Sequence, residues 1–377
     1  MRIAFLVERP TQFEAPFYRF AARDPAHELR VLFTGGANLA GPVFDPELGT
    51  AVSWGIDLLG GYPSEACPAV GAAAWLAERL QPERCDLLIA NGYTRPLYRL
   101  GTRIALRAGV ATALRLDSVR FGGSLVRDLA KRLLFATYMK RTYDLFFGVG
   151  SLTLEYLRAF GVPAERMGLF PYAVDVDDFR QRSRLSTEER MAIRARLGVP
   201  AEARVILSLA KLSSREAPWD LLRAFARLQD GEGVWLVLAG DGPDRGALER
   251  AAGPRVRFPG YIPYPELPAL YAAADLFVHP AREERWGVSV EEALACGLPV
   301  VASSRVGAAF DLIQPGGNGF LYTAGNDAEL AGRLGDALAL PAARVRETSA
   351  AVLAGWDYAA AWDGLLAAAA RVTGGGR

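Results

Sequence analysis

Lysine is almost missing from this chain: of 43 basic residues only Lys131, Lys140 and Lys211 are lysines, so arginine carries nearly all the positive charge, as codon bias alone would produce. Histidine is scarcer, with His27 and His279 alone. The three cysteines, Cys67, Cys85 and Cys296, are odd in number, far apart and without CxxC spacing. That excludes a disulfide framework and a cysteine zinc site, and it fits a reducing compartment. No apolar run approaches the roughly 20 residues of a membrane-spanning helix. The apolar start, Met1 to Val7, meets Glu8 and Arg9 too soon for a signal peptide. A cytoplasmic protein is expected. Net charge is also lacking, at +1 from 43 basic and 42 acidic residues, so no global field draws nucleic acid to the chain.

What is present is the composition of a folded protein: 51% hydrophobic and 23% charged over 377 residues, a length that predicts two domains. Short apolar runs alternate with longer helical stretches throughout, the pattern of parallel βαβ units. They lie at 2–7, 29–34, 86–90, 111–116, 145–150 and 166–171, then at 204–210, 234–240, 256–261, 275–280, 299–303 and 319–323. The fold class is therefore α/β, with two doubly wound Rossmann-like domains facing across a cleft. The first is expected over 1–170 and the second over 185–354. The segment 171–184, with a proline, three aspartates and no periodicity, reads as a hinge. A helical pattern resumes over 355–371 with Trp356, Trp362, Leu365 and Leu366 and is a candidate to pack back on the first domain. Ligands of open parallel sheets bind beyond the carboxyl ends of the strands, which places the expected active site in the cleft.

The most informative stretch is HPAREERWGVSVEEALACGLPVVAS, residues 279–303. A strand end leads through a charged loop into a helix near Gly287, whose first amides, of Gly287, Val288 and Ser289, suit a phosphate group. Glu284 in the loop and Glu292 in the helix can border one pocket and accept hydrogen bonds from sugar hydroxyls. The competing reading is that Glu283, Glu284, Glu291 and Glu292 form a solvated face.

Glu284 to Glu292 is an E-x7-E spacing followed by EALACGLPVVAS. AGDGP at 239–243, FPGYIPYPELPALYAAADLFVHP at 258–280 and SRVGAAFDLI at 304–313 fall in order around it. Over about 205–322 the chain resembles the retaining glycosyltransferases of family 4, which have the two-domain GT-B fold. The resemblance implies a nucleotide-diphosphate sugar as donor substrate, with Glu284 contacting the donor sugar and acting as a catalytic candidate. Glu292 would hold the ribose hydroxyls, and the amides after Trp286 the diphosphate. Gly240 and Gly242 would bring a tight turn close to the nucleotide, against the alternative of an ordinary turn. The family's first diphosphate cation matches Lys211. Its second position falls on Glu216, with Arg215 one residue early. A carboxylate some 4 Å from a phosphate costs roughly 1 to 4 kcal/mol, so Glu216 is expected to point away and Arg215 to serve in its place.

Many relatives carry a histidine near the reacting sugar in the first domain, a position this chain lacks; Asp117 in LRLDS, with Arg115 and Ser118 beside it, is the catalytic candidate there, against a helix cap. Gln12 and Glu14 in ERPTQFEAPFYRF, the loop after the first strand, are the acceptor-side candidates. The acceptor is a glycan, a lipid-linked sugar or a small molecule. No essential metal or other cofactor is expected. The stretch 124–143 reads either as a basic amphipathic helix able to make a weak contact with the inner membrane face, or as a helix packed on the sheet with a solvated basic face. Alternatives to the transferase are a sugar-nucleotide epimerase or hydrolase of the same fold, and a catalytically degenerate nucleotide-sugar-binding protein.

Overall fold

The computed structural model describes residues 1–36, 39, 41–45, 50–122, 125–228 and 233–373. Two compact units divide the chain: Met1–Gly41, Asp57–Ala173 and Trp356–Arg377 form the first, Pro42–Ile56 and Val174–Gly355 the second. The strands begin with β1 (Arg2–Val7) and β2 (Glu28–Phe33). An excursion belonging to the second unit then forms the antiparallel pair β3 (Val43–Asp45) and β4 (Thr50–Val52). The first unit continues with β5 (Ser64–Ala66), β6 (Leu87–Ala90), β7 (Ala111–Leu116), β8 (Leu145–Gly148) and β9 (Met167–Leu169).

Seven strands of the first unit pair in parallel, in the order β5-β2-β1-β6-β7-β8-β9. A parallel sheet covered on both faces needs near-continuous apolar strands, and β1 is buried at every position after Arg2, as is all of β6. On one face Phe17 packs against Phe170, Tyr358 and Trp362, which brings the helix Tyr358–Thr373 into this unit. The indole of Trp362 donates to Asp24 at 2.9 Å. Gly168 makes room for that helix, since a Cβ there would stand 2.8 Å from Ala368 Cβ.

The second unit contains β10 (Arg204–Leu209), β11 (Val234–Ala239), β12 (Val256–Gly260), β13 (Leu276–His279), β14 (Val300–Ser303) and β15 (Gly319–Tyr322). They pair in parallel in the order β12-β11-β10-β13-β14-β15. Strand order reverses between β10 and β13 here, and between β1 and β6 in the first unit. Such reversals are where loops diverge and ligands bind in open sheets.

Two expectations are corrected. The units divide at Ala173/Val174, inside the segment 171–184 expected to join them, but that segment is not irregular: it contains the helix Val176–Arg182, whose N-cap Asp175 accepts from the Asp178 amide at 3.0 Å. The aspartates that read as a break are a cap and a first turn. The excursion Pro42–Ile56 was also unanticipated; its strands are three residues each, too short for periodicity to reveal. The stretch 124–143 forms the helix Leu125–Leu134, a π-turn over Phe135–Met139 and a last turn over Lys140–Thr142, with Ser124 outside the described residues. Among the described residues no helix is long and apolar enough to cross a membrane.

Candidate functional site

Beyond the carboxyl ends of β10 and β11 two loops run in contact. The amide of Leu212 donates to the Asp241 carbonyl at 2.9 Å, and that of Asp244 to the Leu212 carbonyl at 2.9 Å. Only glycine permits this approach: a Cβ on Gly240, at φ +133°, would stand 2.0 Å from the Ala210 carbonyl oxygen, and one on Gly242 2.5 Å from that of Leu212. The two glycines thus seat the loop that carries Lys211, which is half-buried. That loop closes at Ala217, the one non-glycine residue with positive φ among the described residues, at +53°, and the helix Pro218–Ala226 follows. A left-handed alanine is strained by about 1–2 kcal/mol, so its surroundings must hold it.

The loop after β13 is pinned to the same place. Arg282 grips Asp220 with two bonds of 3.0 and 2.9 Å, and its amide donates to the Arg215 carbonyl at 2.8 Å. Asp220 is fully buried at the start of the helix Pro218–Ala226 and also pairs with Arg223. Glu284 has its backbone fixed on both sides, its amide donating to Arg305 O at 2.9 Å and its carbonyl accepting from Gly307 at 3.0 Å. Its side chain accepts from the Trp286 amide at 3.3 Å.

These constraints gather charge at the β10/β13 reversal. The guanidinium of Arg215 reaches Glu216 at 2.5 Å and Glu284 at 3.5 Å. Glu216, His279 and Glu284 each bring a ligand atom within 4.8 Å of the others. They could offer a cation one nitrogen and two oxygens, although Arg215 already sits on both carboxylates. The expectation that Glu216 points away is therefore corrected: it is buried within the cluster, where the neighbouring guanidinium offsets the cost of desolvating it. His279 is buried too, and burial lowers its pKa against the opposing pull of Glu284, which favours a neutral imidazole.

Gly287, at φ +99°, turns the chain into the helix Val288–Ala295, and a Cβ there would strike Val306 at 2.9 Å and the His279 ring at 3.2 Å. The amides of Val288 and Ser289 lie in the first turn, which has no intrahelical acceptors for them. The solvated-face reading of this helix is corrected at Glu291 and Glu292, both buried. Glu291 accepts from the Val174 amide at 2.9 Å, and Glu292 from the Tyr271 hydroxyl at 2.8 Å. Desolvation pushes the Glu292 carboxyl up to about 7, with the Tyr271 bond opposing it.

The first-unit candidates are set differently. Glu14 opens the helix Glu14–Ala21 and is buried, correcting the expectation that it projects from a loop. It accepts from Arg115 at 3.1 Å, Asn91 at 3.0 Å and Thr11 at 3.2 Å. Arg115 also donates to the carbonyls of Phe170 at 3.2 Å and Pro171 at 2.5 Å, and lies over the rings of Phe170 and Tyr172. Gln12 is half-buried, and Asp117, directly after β7, is half-buried as well. His27 is held by Asp24 at 2.8 Å. Lys211, Arg215, Gly240, Gly242, Glu284, Gly287, Val288, Ser289 and Glu292 thus share the second unit, while Gln12, Glu14 and Asp117 belong to the first. Sequence reasoning missed His279, Asp220, Arg282 and Tyr271 as parts of this arrangement. The position of His279 at the very end of a strand, ahead of the acidic motif, was the available signal.

Comparison with known proteins agrees with this geometry. The family model described as Glycosyl transferases group 1 matches residues 189–351. A D-inositol 3-phosphate glycosyltransferase of Thermomonospora curvata is 30% identical over 222 residues, 54% of this chain and 51% of that protein. The corresponding enzyme 1 of Catenulispora acidiphila is 32% identical over 241 residues, 59% of this chain and 56% of its own length. The chain thus spans about half the length of the curated relatives it matches. Among solved structures, Anabaena HepE in complex with UDP aligns with a TM-score of 0.74 at 20% identity, over 97% of this chain and 99% of that one. A glycosyltransferase from Rickettsia africae aligns with a TM-score of 0.75 at 12% identity, over 98% of each chain. Residues 189–351 of the second unit are thus similar to the group 1 glycosyl transferases, and the two units have the GT-B fold of the solved glycosyltransferase structures.

Proposed function

We propose that this protein transfers a sugar from a nucleotide-diphosphate sugar to an acceptor hydroxyl, with retention at the anomeric carbon. The observation that carries the reading is the cluster of Arg215, Glu216, His279 and Glu284 beside the start of the helix Val288–Ala295, inside the family-matched segment. Lys211, the first-turn amides and the open part of Arg215 offset the charge that develops on the departing diphosphate. Glu284 accepts hydrogen bonds from hydroxyls of the donor sugar, and ionised Glu292 accepts them from the ribose. Retention requires the acceptor hydroxyl on the face the diphosphate leaves, a task of positioning and electrostatics. Gln12 and Asp117 are the acceptor-side groups we assign, and the acceptor is a glycan, a lipid-linked sugar or a small molecule. Positive charge at the leaving group comes from side chains, so EDTA should leave turnover unchanged.

The test is nucleoside diphosphate release from UDP-, GDP-, ADP- and TDP-sugars, with and without mixed acceptors. UDP-glucose comes first because HepE structures contain UDP and UDP-glucose. Release that depends on one donor, rises with acceptor and collapses in Glu284→Gln supports the transferase. Release indifferent to acceptor would point to hydrolysis, and donor binding without release to a degenerate binding protein.

A further inference from the structure

Arg215 and Glu216 stand on a stretch of chain held by short-range turns. Beyond Lys211 the Ser213 amide donates to the Lys211 carbonyl at 2.9 Å, and that of Glu216 to the Ser213 carbonyl at 3.1 Å. Ser214 and Arg215 are exposed. The stretch ends at the left-handed Ala217, where among the described residues no side chain caps the helix Pro218–Ala226. None of this fixes where the Arg215 guanidinium points, because local turns leave a long side chain its rotamers and ordering it costs entropy.

Arg282, in the loop after β13, ties this stretch at both ends. Its amide donates to the Arg215 carbonyl at 2.8 Å, and its guanidinium meets both oxygens of Asp220, at 3.0 and 2.9 Å, in the first turn of the helix. A two-pronged arginine–carboxylate bond fixes orientation as well as distance. From the same loop the Glu283 carbonyl accepts from Arg215 at 3.3 Å. Two residues beyond Arg282, Glu284 is anchored to Arg305 and Gly307 through its own backbone. Arg282 thus joins the loop that holds Glu284 to the loop that carries Arg215, which lets one guanidinium reach both Glu216 and Glu284. The Arg282 side chain is 56% exposed and that of Asp220 2%, and Asp220 also pairs with Arg223. Removal of the Arg282 guanidinium therefore leaves Asp220 with a partner.

We propose that Arg282 and Asp220 are positioning residues for the transfer reaction, an inference that rests on the transferase reading above. Their pair sets the stretch 213–217 so that the open side of Arg215 meets the departing diphosphate. Charge aimed in advance costs no reorganisation as the bond breaks, and a misplacement of about 1 Å can cost about a hundredfold in rate. Arg282 contributes orientation rather than charge, because its guanidinium is engaged by Asp220.

The experiment is a double-mutant cycle of Arg282→Gln and Arg215→Gln in the full chain. It is read as calorimetric affinity for whichever of UDP, GDP, ADP and TDP the parent binds, and in parallel as kcat and KM for the matching sugar donor. Each single variant should weaken nucleoside diphosphate binding by about tenfold and lower kcat more than it raises KM. The double variant should stay within about twofold of Arg215→Gln, since Arg282 then has no cation left to aim. Arg282→Lys, which keeps the charge but not the two-pronged grip, should behave as Arg282→Gln does. Far-UV circular dichroism and the melting temperature of both Arg282 variants should stay close to those of the parent. Parent-like affinity and rate in Arg282→Gln, effects that multiply in the double variant, or full recovery in Arg282→Lys overturns the proposal. A parent that binds none of the four diphosphates removes the transferase reading and this inference with it, whereas binding with a multiplicative cycle removes this inference alone.

Discussion

Both sheets reverse their strand order, but what lies beyond the two reversals is opposite in kind. At β1/β6 the side chains of Glu14 and Arg115 are sealed, with 6 and 3% of their surfaces exposed. At β10/β13 those of Glu284 and Arg215 keep 25 and 43%. In the first unit each buried charge is satisfied by the other, by Asn91 and by main-chain carbonyls. In the second, one guanidinium is shared between two carboxylates and left half open. A reversal of strand order supplies only geometry; charge that solvent and ligand can still reach is what makes it a place for chemistry.

The sharpest break of this contrast is Glu14→Ala, which would leave Arg115 charged in an apolar setting. A loss of roughly 3–5 kcal/mol is expected in urea unfolding, whereas Glu284→Gln should cost less than about 1 kcal/mol because its pair is partly exposed. Similar losses for both would erase the distinction between sealed and open sites.

Next comes acidity. Glu292 has a carboxyl raised from 4.5 to about 7, so its contribution to stability is full below pH 4.5 and is lost as pH rises through about 7. Relative to Glu292→Gln, the parent should lose about 3 kcal/mol across that window, and donor affinity should rise over the same range as the carboxylate forms. Parallel stability curves for parent and variant would show that Glu292 is not desolvated.

A smaller effect separates the cations of the cluster. Lys211→Ala should raise donor KM by about 10- to 100-fold, equivalent to about 1.4–2.8 kcal/mol, and Glu216→Ala by much less, since it frees Arg215 for the diphosphate. The reverse order would mean that Glu216 rather than Lys211 governs donor binding. Smallest is Ala217→Gly, expected to stabilise by up to about 1 kcal/mol by relieving the left-handed backbone, as read by thermal unfolding. Destabilisation would place the alanine methyl, not its φ angle, in charge of that turn.

The sheets were legible because parallel strands buried on both faces are written as apolar runs. Those predicted at 2–7 and 111–116 coincide with β1 and β7 end to end. β3, β4 and β5 escaped, since three residues hardly display a period; β3 and β4 pair only with each other, and β5 pairs with β2 more than 30 residues earlier. The candidate site was legible through Glu284 and Glu292, whose E-x7-E spacing helped carry the resemblance, and the resemblance in turn implied roles for Lys211 and the amides after Trp286. Glu291 and Glu292 were ambiguous because acidic pairs are ordinarily a wet helix face. Here the helix Val288–Ala295 is buried from Val290 onward, and the partner of Glu291 is an amide 117 residues away. Glu216 was misread for the same reason: the neighbour that neutralises it was visible in the sequence, but not the fold that holds both against Glu284.

The measurement that bears most directly on the account is a calorimetric titration of UDP into the parent and into Lys211→Ala. Saturable binding to the parent, weakened by about tenfold or more in the variant, is the predicted result. Binding of equal strength in both would contradict the assignment of the diphosphate to the β10/β13 reversal.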